Sequence, residues 1–455
     1  MVKEQGAEEI RRIATAVSDP TSSTYGEFLG TEQVLQLTQP EAADMTAVIG
    51  WLTANGVSFQ TSHSNVVASM SVGAASELFS TNFHIAQHVA HGQSLVRASD
   101  YEIPAEVERS LQTIFGLHGL PLPPRQAITT LAHGPSRPAQ PANVTPAVIA
   151  STYGIPAGKA SGSEKNKQAV AEFQGQFMNS TDLVNYFKAY VTDYTEGTDD
   201  VVFKFVGEHK ENSGGIEAEL DIQYIMGPAV GIKTEFWEFP GQDFGNDLNQ
   251  WTANLTALED RPIVHSVSYG WQGNLSQIHV KDADVEAVDS NFQKLASMGV
   301  SIMISSGDSG SGYTRPDPMQ QCMGGGEKGV GVTGTVKKSK HAEEAEECCE
   351  VANDSEKHPA AAWTFTKEKG PDMAGNKKKG ICTIYSSVTG RTQTNKSSTS
   401  GFAPEAKHVQ LWPSWPASSP WVTAVGATRF QEQKVGNDEM ATDQFVSTQA
   451  VASTA

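Results

Sequence analysis

The strongest constraint on the fold is an alternation of apolar, strand-like runs with helix-like stretches, which begins after residue 147. QAVAEF, TEFWEF and VSIMISS are mostly apolar, and segments whose apolar residues have helical spacing lie between such runs. Strands that are apolar on both faces are typical of a parallel sheet covered by helices on both sides. The sequence therefore predicts an α/β fold with a doubly wound parallel sheet, and a functional site at the carboxyl ends of its strands.

The amino-terminal part of the chain has a different pattern. Residues 1–132 combine amphipathic helices with short alternating strands, which predicts a small α+β domain. The stretch HGPSRPAQPANVTP at 133–146 contains four prolines and no long apolar run, so we interpret it as an exposed linker. The alternating domain then occupies 147–455.

A long insertion is expected within the second domain at 313–410. It contains the acidic run EEAEECCE and a run of three lysines, and WPASSPWVTAVGATRF then returns to a strand pattern. The cysteines of the chain are all in this insertion: Cys322, Cys348, Cys349 and Cys382. We predict disulfides there rather than a zinc site, because no CxxC spacing is present and only two histidines, His341 and His358, lie in or beside the 61-residue stretch that holds the cysteines.

Charge and composition exclude several classes of function. A net charge of −19 argues against nucleic acid as a partner, and no apolar run is long enough to span a membrane. The charged start lacks the apolar region of a signal peptide, and we expect the true amino terminus to be absent. Sequons for N-glycosylation nevertheless favour the secretory pathway, outside the cell or in a lysosome or vacuole; they begin at Asn143, Asn179, Asn254, Asn274, Asn353 and Asn395.

Two carboxylates in GGIEAELDIQYIMG are candidates for chemistry. Glu217 and Asp221 are four residues apart, which places them on one face of a predicted helix, whereas Glu219 should face away. If the pair were partly buried, it would share a proton and one pKa would rise. From spacing alone an exposed acidic helix face is the commoner explanation.

Four further residues lie in or beside predicted strands. Asp308 follows the strand VSIMISS within SGDSGSG, where it could simply cap a turn, and Glu172 ends the first strand of the second domain. A trypsin-like reading would make Ser309 a nucleophile, but it requires a β-barrel and a histidine motif that the chain lacks. His265 is interpreted as a packed core or surface residue rather than a base.

Taken together, these motifs resemble the sedolisin family, the serine-carboxyl peptidases, and in particular its tripeptidyl-peptidase branch. SDPTSSTYGEFL at 18–29 resembles the start of the family's activation pro-segment, and NVTPAVIASTYGIP at 143–156 resembles the start of the mature enzyme. GIEAELDIQYIMG, HSVSYG, SSGDSGSG and the segment around WPASSP follow in the family's order. The resemblance implies a subtilisin-like catalytic domain preceded by a ferredoxin-like pro-domain that inhibits it intramolecularly.

The resemblance also assigns roles. Glu217 matches the general base, Asp221 the carboxylate that orients it, and Asp308 the oxyanion-hole aspartate; Glu172 extends the acid chain as in some members. A glutamate base and a protonated aspartate both favour acid, so an acid-acting peptidase that cleaves peptides or proteins is implied. Whether it would be a tripeptidyl exopeptidase or an endopeptidase is left open.

The family's nucleophile lies in an S-G-T-S-x-S motif downstream of WPASSP, and this motif is absent from the 455 residues. We therefore expect a pro-domain shortened at its start and a catalytic domain and sheet incomplete at their carboxyl end, with the family's Ca²⁺ ligands outside this chain and no metal site within it. The alternatives are a non-catalytic relative that binds peptides or inhibits a complete enzyme through its pro-domain, and an unrelated α/β binding protein.

Overall fold

A computed structural model describes residues 1–87, 94–122, 142–156, 158–160, 163, 165–211, 213–307, 327–328, 330–342, 345–353, 362–367, 380–393, 398–402, 412–431 and 434–441. The chain forms two compact units, one from Met1–Gly310 with Pro413–Ala455 and the other from Ser311–Trp412. Within the residues just given, no helix is both long and apolar enough to cross a membrane.

The first unit begins with small helices and two β-hairpins. In chain order these elements are α1 Ala7–Ser18, α2 Thr31–Leu37, α3 Ala42–Ala54, β1 Ser58–Ser62, β2 Asn65–Ser69, α4 Val72–Leu78, β3 Phe83–Gln87, β4 Ser94–Ala98 and α5 Ala105–Glu108. The strands pair as two separate antiparallel sheets, β1 with β2 and β3 with β4. Their own core is formed by Val2, Val48, Leu52, Val57 and Val107. This region therefore has the α+β composition that the sequence predicts.

The rest of the first unit is the alternating domain. Its elements are α6 Pro146–Tyr153, β5 Lys167–Phe173, α7 Ser180–Tyr190, β6 Lys204–Val206, α8 Ile216–Met226, β7 Lys233–Phe239, α9 Phe244–Ala257, β8 Val264–Val267, β9 Trp271–Gln272, a 3₁₀ helix Leu275–Ile278, α10 Asp282–Ser297, β10 Ser301–Ser305, β16 Ser414–Trp415, β17 Thr423–Val425, β18 Thr428–Phe430 and β19 Glu439–Ala441. Six of these strands form one sheet in the order β17-β10-β8-β5-β7-β6. Every pair in it is parallel, which confirms the predicted α/β fold.

Helices cover both faces of this sheet, and its central strand β5 is therefore buried over its whole length. Ala171 and Phe173 of β5 pack on the side of α9 and α10, in a core with Trp251 and Phe292. Val170 packs on the other side with residues of α7 and α8. Since side chains alternate along a strand, Glu172 projects to the same face as Val170, which is the α8 face.

The second unit contains a five-stranded antiparallel sheet in the order β11-β15-β13-β14-β12. Its elements are β11 Glu327–Lys328, β12 Val330–Ala342, α11 Ala345–Asn353, β13 Ala362–Lys367, β14 Gly380–Gln393 and β15 Ser398–Phe402. A disulfide between Cys348 and Cys382 links α11 to β14, and Cys349 is also disulfide-bonded. Cys322 lies outside the described residues. The prediction of disulfides in this stretch is confirmed for the described cysteines, none of which is free.

Replacing both Cys348 and Cys382 with alanine is expected to destabilise the second unit by about 3–4 kcal/mol, because the bridge closes a loop of 34 residues in the unfolded chain. Hydrogen exchange of the β13 and β14 amides measures this loss locally. The amides of β5 in the first unit are the internal control and should keep their protection. Unchanged exchange in β13 and β14 would contradict the expectation.

Candidate active site

The start of α8 is fixed against the carboxyl end of β5. The Gly215 N–H donates to the Phe177 carbonyl oxygen at 2.8 Å, and Phe177 pairs with Gly214 in an isolated parallel bridge. A side chain at Gly215 would displace the Gln176 amide, which packs against the backbone just before the helix. This tight junction positions the first turns of α8 beside Glu172.

Three of the predicted site residues meet at this junction. Glu172 is fully buried at the end of β5, and Glu217 and Asp221 are half-buried on α8. Burial raises the pKa of Glu172 well above its usual value, and the negative charges of Asp221 and Glu217 raise it further. The Asp221 side chain also forms a hydrogen bond with Glu172 that favours the protonated form. The three carboxyls therefore form a continuous chain from the helix surface into the sheet.

Tyr269, just beyond β8, contacts the inner end of this chain. Its hydroxyl lies 3.2 Å from Glu172 Oε2 and 3.1 Å from the Phe173 carbonyl oxygen. A single hydroxyl proton can serve only one of these acceptors at a time. The tyrosine therefore donates either to Glu172 or to the Phe173 carbonyl oxygen, and it ties the inner end of the cluster to the end of β5.

Glu238 is a fourth carboxyl that the sequence analysis missed. It ends β7, is only 5% exposed and is the register partner of Glu172 on the neighbouring strand. Gly175, in the left-handed turn after β5, donates its N–H to Glu238 Oε1 at 3.0 Å. Burial raises the pKa of Glu238 to about 8. The signal was the second of two glutamates in the strand-like run TEFWEF, which is the second strand after that of Glu172 in the chain.

Glu219 faces away from this cluster, as predicted. It is fully buried, and its carboxyl accepts from the Asn179 N–H at 2.6 Å and from the Gln223 side chain at 2.9 Å. Burial raises the pKa of Glu219 to about 7. Its bonds join α8 to the start of α7, so it stabilises the helix pair rather than the chain of carboxyls.

The remaining candidates have different outcomes. Asp308 and Ser309 lie outside the described residues, although β10 ends nearby at Ser305. His265 is fully buried between Trp237 and Trp251, which confirms a packed core histidine. Burial lowers its pKa to about 3.

A segment of the amino-terminal region covers the carboxyl ends of β5 and β7. Gln174, directly after β5, donates its side-chain amide to the Leu122 carbonyl oxygen at 2.5 Å. The Phe244 N–H, at the start of α9, donates to the Leu120 carbonyl oxygen at 3.2 Å. The Asp243 carboxylate accepts from the Gly116 N–H at 3.0 Å. Residues 116–122 therefore lie beside the edge of the sheet that carries Glu172 and Glu238.

The Arg97 side chain, from β4, also contacts this edge of the sheet. The Arg97 guanidinium donates to the carbonyl oxygens of Gln242 and Gly119, each at 2.5 Å. Gly119 lies so close to the Asp243 carboxyl that a side chain there would displace it. The contact therefore depends on backbone shape as well as on charge.

No group of three or more histidine, cysteine or acidic side chains suited to a metal ion occurs among the residues that the structure describes. A cavity of about 560 Å³ lies elsewhere in the first unit, between α6 and the turn before β19. Ser151, Phe430 and Glu439 are among the residues that line it, and none of the clustered carboxyls does. The cluster at β5, β7 and α8 thus remains the candidate site.

Comparison with known proteins gives two consistent findings. Residues 1–120 match the family model "Pro-kumamolisin, activation domain". Tripeptidyl-peptidase 1 from Mus musculus is 29% identical over 326 residues, and the match covers 68% of this chain and 55% of the relative. The Homo sapiens protein of the same name is 29% identical over 328 residues, with the same coverage. The chain therefore spans about half the length of the curated relatives it matches.

Among solved structures, a Pseudomonas sedolisin (serine-carboxyl proteinase) complexed with two molecules of pseudo-iodotyrostatin is 16% identical. The match covers 64% of this chain and 55% of that chain, with a TM-score of 0.32.

Proposed function

We propose that the chain is the pro-form of an acid-acting serine-carboxyl peptidase of the sedolisin family, because residues 1–120 match the family model of an activation domain and the chain is similar to tripeptidyl-peptidase 1. The observation that carries the proposal is the chain of carboxyls Glu217, Asp221 and Glu172 at the carboxyl ends of the central strands. Such a cluster is costly to bury, and perturbed carboxyls at a strand edge are typical of active sites.

In the proposed mechanism Glu217 is the general base and Asp221 orients it. A serine hydroxyl attacks a carbonyl only when a neighbouring base takes its proton. Glu217 is in the first turn of α8, where the helix dipole stabilises its carboxylate form. Burial raises the pKa of Glu172, and its hydrogen bond with Asp221 favours the protonated form of Glu172 further.

Asp308 completes the proposed machinery as the oxyanion-hole residue. An aspartate can donate a hydrogen bond to the developing oxyanion only while it is protonated, so this step requires acid. The serine itself would belong to an S-G-T-S-x-S motif, which the 455 residues do not contain. The mechanism therefore applies to a protein that also includes that motif.

The amino-terminal domain is proposed to inhibit its own catalytic domain. Residues 116–122 form hydrogen bonds with residues that follow β5 and β7, at the edge of the sheet where a peptide substrate would bind. Substrates are accordingly peptides or proteins, cleaved either as tripeptides from a free amino end or internally. A site in the secretory pathway and N-glycosylation are part of the proposal; Asn254 and Asn274 are exposed sequons. Calcium, which the family implies, finds no fitting group among the described residues.

The first experiment is to read the native transcript past the codon for Ala455 and to express the protein that it encodes. Hydrolysis of fluorogenic tripeptide amides at about pH 4, near the reference pKa of a glutamate base, supports the proposal. Comparison of free with blocked amino ends separates exopeptidase from endopeptidase action. A stop codon at 455 together with peptide binding but no hydrolysis would instead support the non-catalytic relative.

In the active protein, Glu217→Gln is expected to lower kcat/KM by about 10²–10⁴-fold, the usual contribution of a general base. Glu219→Gln is the matched control, since Glu219 is a carboxyl of the same helix turned away from the site. The control should retain most of the activity. Equal losses in the two variants would show that the effect comes from α8 as a whole and would exclude a specific base at Glu217.

A further inference from the structure

Glu238 is the buried carboxyl for which the proposed mechanism has no role. It and Glu172 occupy paired positions at the ends of adjacent parallel strands. Paired residues in a parallel sheet project from the same face, with their strands about 4.8 Å apart. The two side chains are 5% and 0% exposed, so neither can lean out into solvent.

The carboxyl of Glu238 is held in place from one side only. Gly175, which follows β5, donates its N–H to Oε1 at 3.0 Å. Glu238 Oε2 is buried and has no hydrogen-bond partner among the residues that the structure describes. A buried carboxylate oxygen without a donor is unfavourable, whereas a carboxyl that carries a proton can donate to a neighbouring carboxyl.

We propose that Glu238 is a positioning residue that holds a proton jointly with Glu172 and so extends the Glu217–Asp221–Glu172 chain to a fourth carboxyl. Four carboxyls in one buried cluster do not all ionise, because like charges in a poorly solvated site repel strongly. The shared proton stays on the two deepest groups, Glu172 and Glu238. The pair thereby carries one negative charge fewer beside Glu217 and Asp221, which are half-buried.

The charged groups around the pair agree with this distribution. Asp221 and Glu217 act on Glu172 from α8, and Glu238 adds its own repulsion. Asp247 from α9 and Glu208 from the loop after β6 also disfavour a negative charge on Glu238, and Lys210 is the cation that opposes them. Lys210 is paired with Glu208 at 3.2 Å, which reduces its effect on Glu238.

The experiment measures the sharing directly by infrared spectroscopy of the full chain. The C=O stretch of protonated carboxyls is followed as the pH is raised, and difference spectra against Glu172→Gln and Glu238→Gln identify each band. If the two carboxyls share a proton, Glu238→Gln lowers the titration midpoint of Glu172 by about one pH unit or more. Glu219→Gln, which removes a buried carboxyl outside the chain, should leave that midpoint unchanged.

A midpoint of Glu172 that is unmoved by Glu238→Gln would overturn the proposal. If that variant fails to fold, Glu172→Gln is the reciprocal measurement, in which the midpoint of Glu238 must fall. The benefit of the pair for hydrolysis rests on the proposed function, but the sharing of the proton does not. Coupled midpoints in a protein without peptidase activity would thus refute the proposed function and leave the proton-sharing pair intact.

Discussion

Replacing Lys294 with methionine is expected to lower the free energy of unfolding by about 3–5 kcal/mol, the usual cost of removing one partner of a buried ion pair. Lys294 lies on α10, and its ammonium contacts both oxygens of Glu4 at 2.7 and 2.9 Å. The two side chains are 3% and 6% exposed. Loss of the cation would leave the Glu4 carboxylate buried with too few donors.

The remaining neighbours of Glu4 cannot compensate for that loss. Ser64 donates to it at 2.7 Å and Ser290 at 3.3 Å, and the His63 ring lies 3.4 Å away. Burial lowers the pKa of His63, so the imidazole is a poor source of positive charge at neutral pH. The ion pair joins the activation domain to α10, and its loss should also loosen this contact.

Urea unfolding of Lys294→Met, Glu4→Gln and the double variant separates the pair from its surroundings. The double variant should be more stable than the sum of the single losses predicts, because both buried charges are removed together. Lys188→Met is the control: its pair with Glu196 is 53% and 69% exposed and should be worth less than about 1 kcal/mol. A loss for Lys294→Met as small as for the control would contradict the assignment.

The sequence predicted the alternating domain because continuous apolar runs have few structural solutions. Lys167–Phe173 is buried at every residue, which only the centre of a parallel sheet permits. The same reasoning placed Glu217 and Asp221 on one face of a helix and Glu219 on another. Periodicity therefore gave both the elements and the faces that they present.

What periodicity could not give was the pairing between strands. Glu172 and Glu238 are 66 residues apart and become neighbours only because β5 pairs with β7 in register. β6, which lies between them in the chain, pairs at the sheet edge instead. A glutamate in an apolar strand is an anomaly that sequence analysis can flag. Its partner depends on strand order, which the local pattern does not encode.

The second large effect is on the pH dependence of stability. The free energy of unfolding is expected to be several kcal/mol higher at about pH 5 than at pH 8. Burial raises the pKa of Glu238 to about 8, and those of Glu219 and Asp247 to about 7. A carboxyl whose pKa is raised by folding binds a proton more tightly in the folded than in the unfolded state. Its stabilisation is complete below the unfolded pKa and is lost as the pH rises through the folded value.

Each of these three carboxyls can contribute at most about 3–5 kcal/mol, since each pH unit of pKa difference is worth about 1.4 kcal/mol. His265 opposes them, because burial lowers its pKa to about 3. The unfolded chain then binds the additional proton below the reference value of about 6.5, and stability falls with decreasing pH. Between pH 8 and 5 the three carboxyls outweigh this single histidine, so the net change still favours acid.

Urea unfolding at pH 5, 6.5 and 8 measures this difference, and Asp247→Asn tests its origin. The asparagine oxygen can still accept from the Asp243 N–H at 3.4 Å, but the group no longer titrates. The variant should therefore flatten the pH dependence, whereas Glu77→Gln, an exposed site on α4, should not. Greater stability at pH 8 than at pH 5 would contradict the prediction. Because the effect arises from the folded interior, the acid preference should be present even in a chain that hydrolyses nothing.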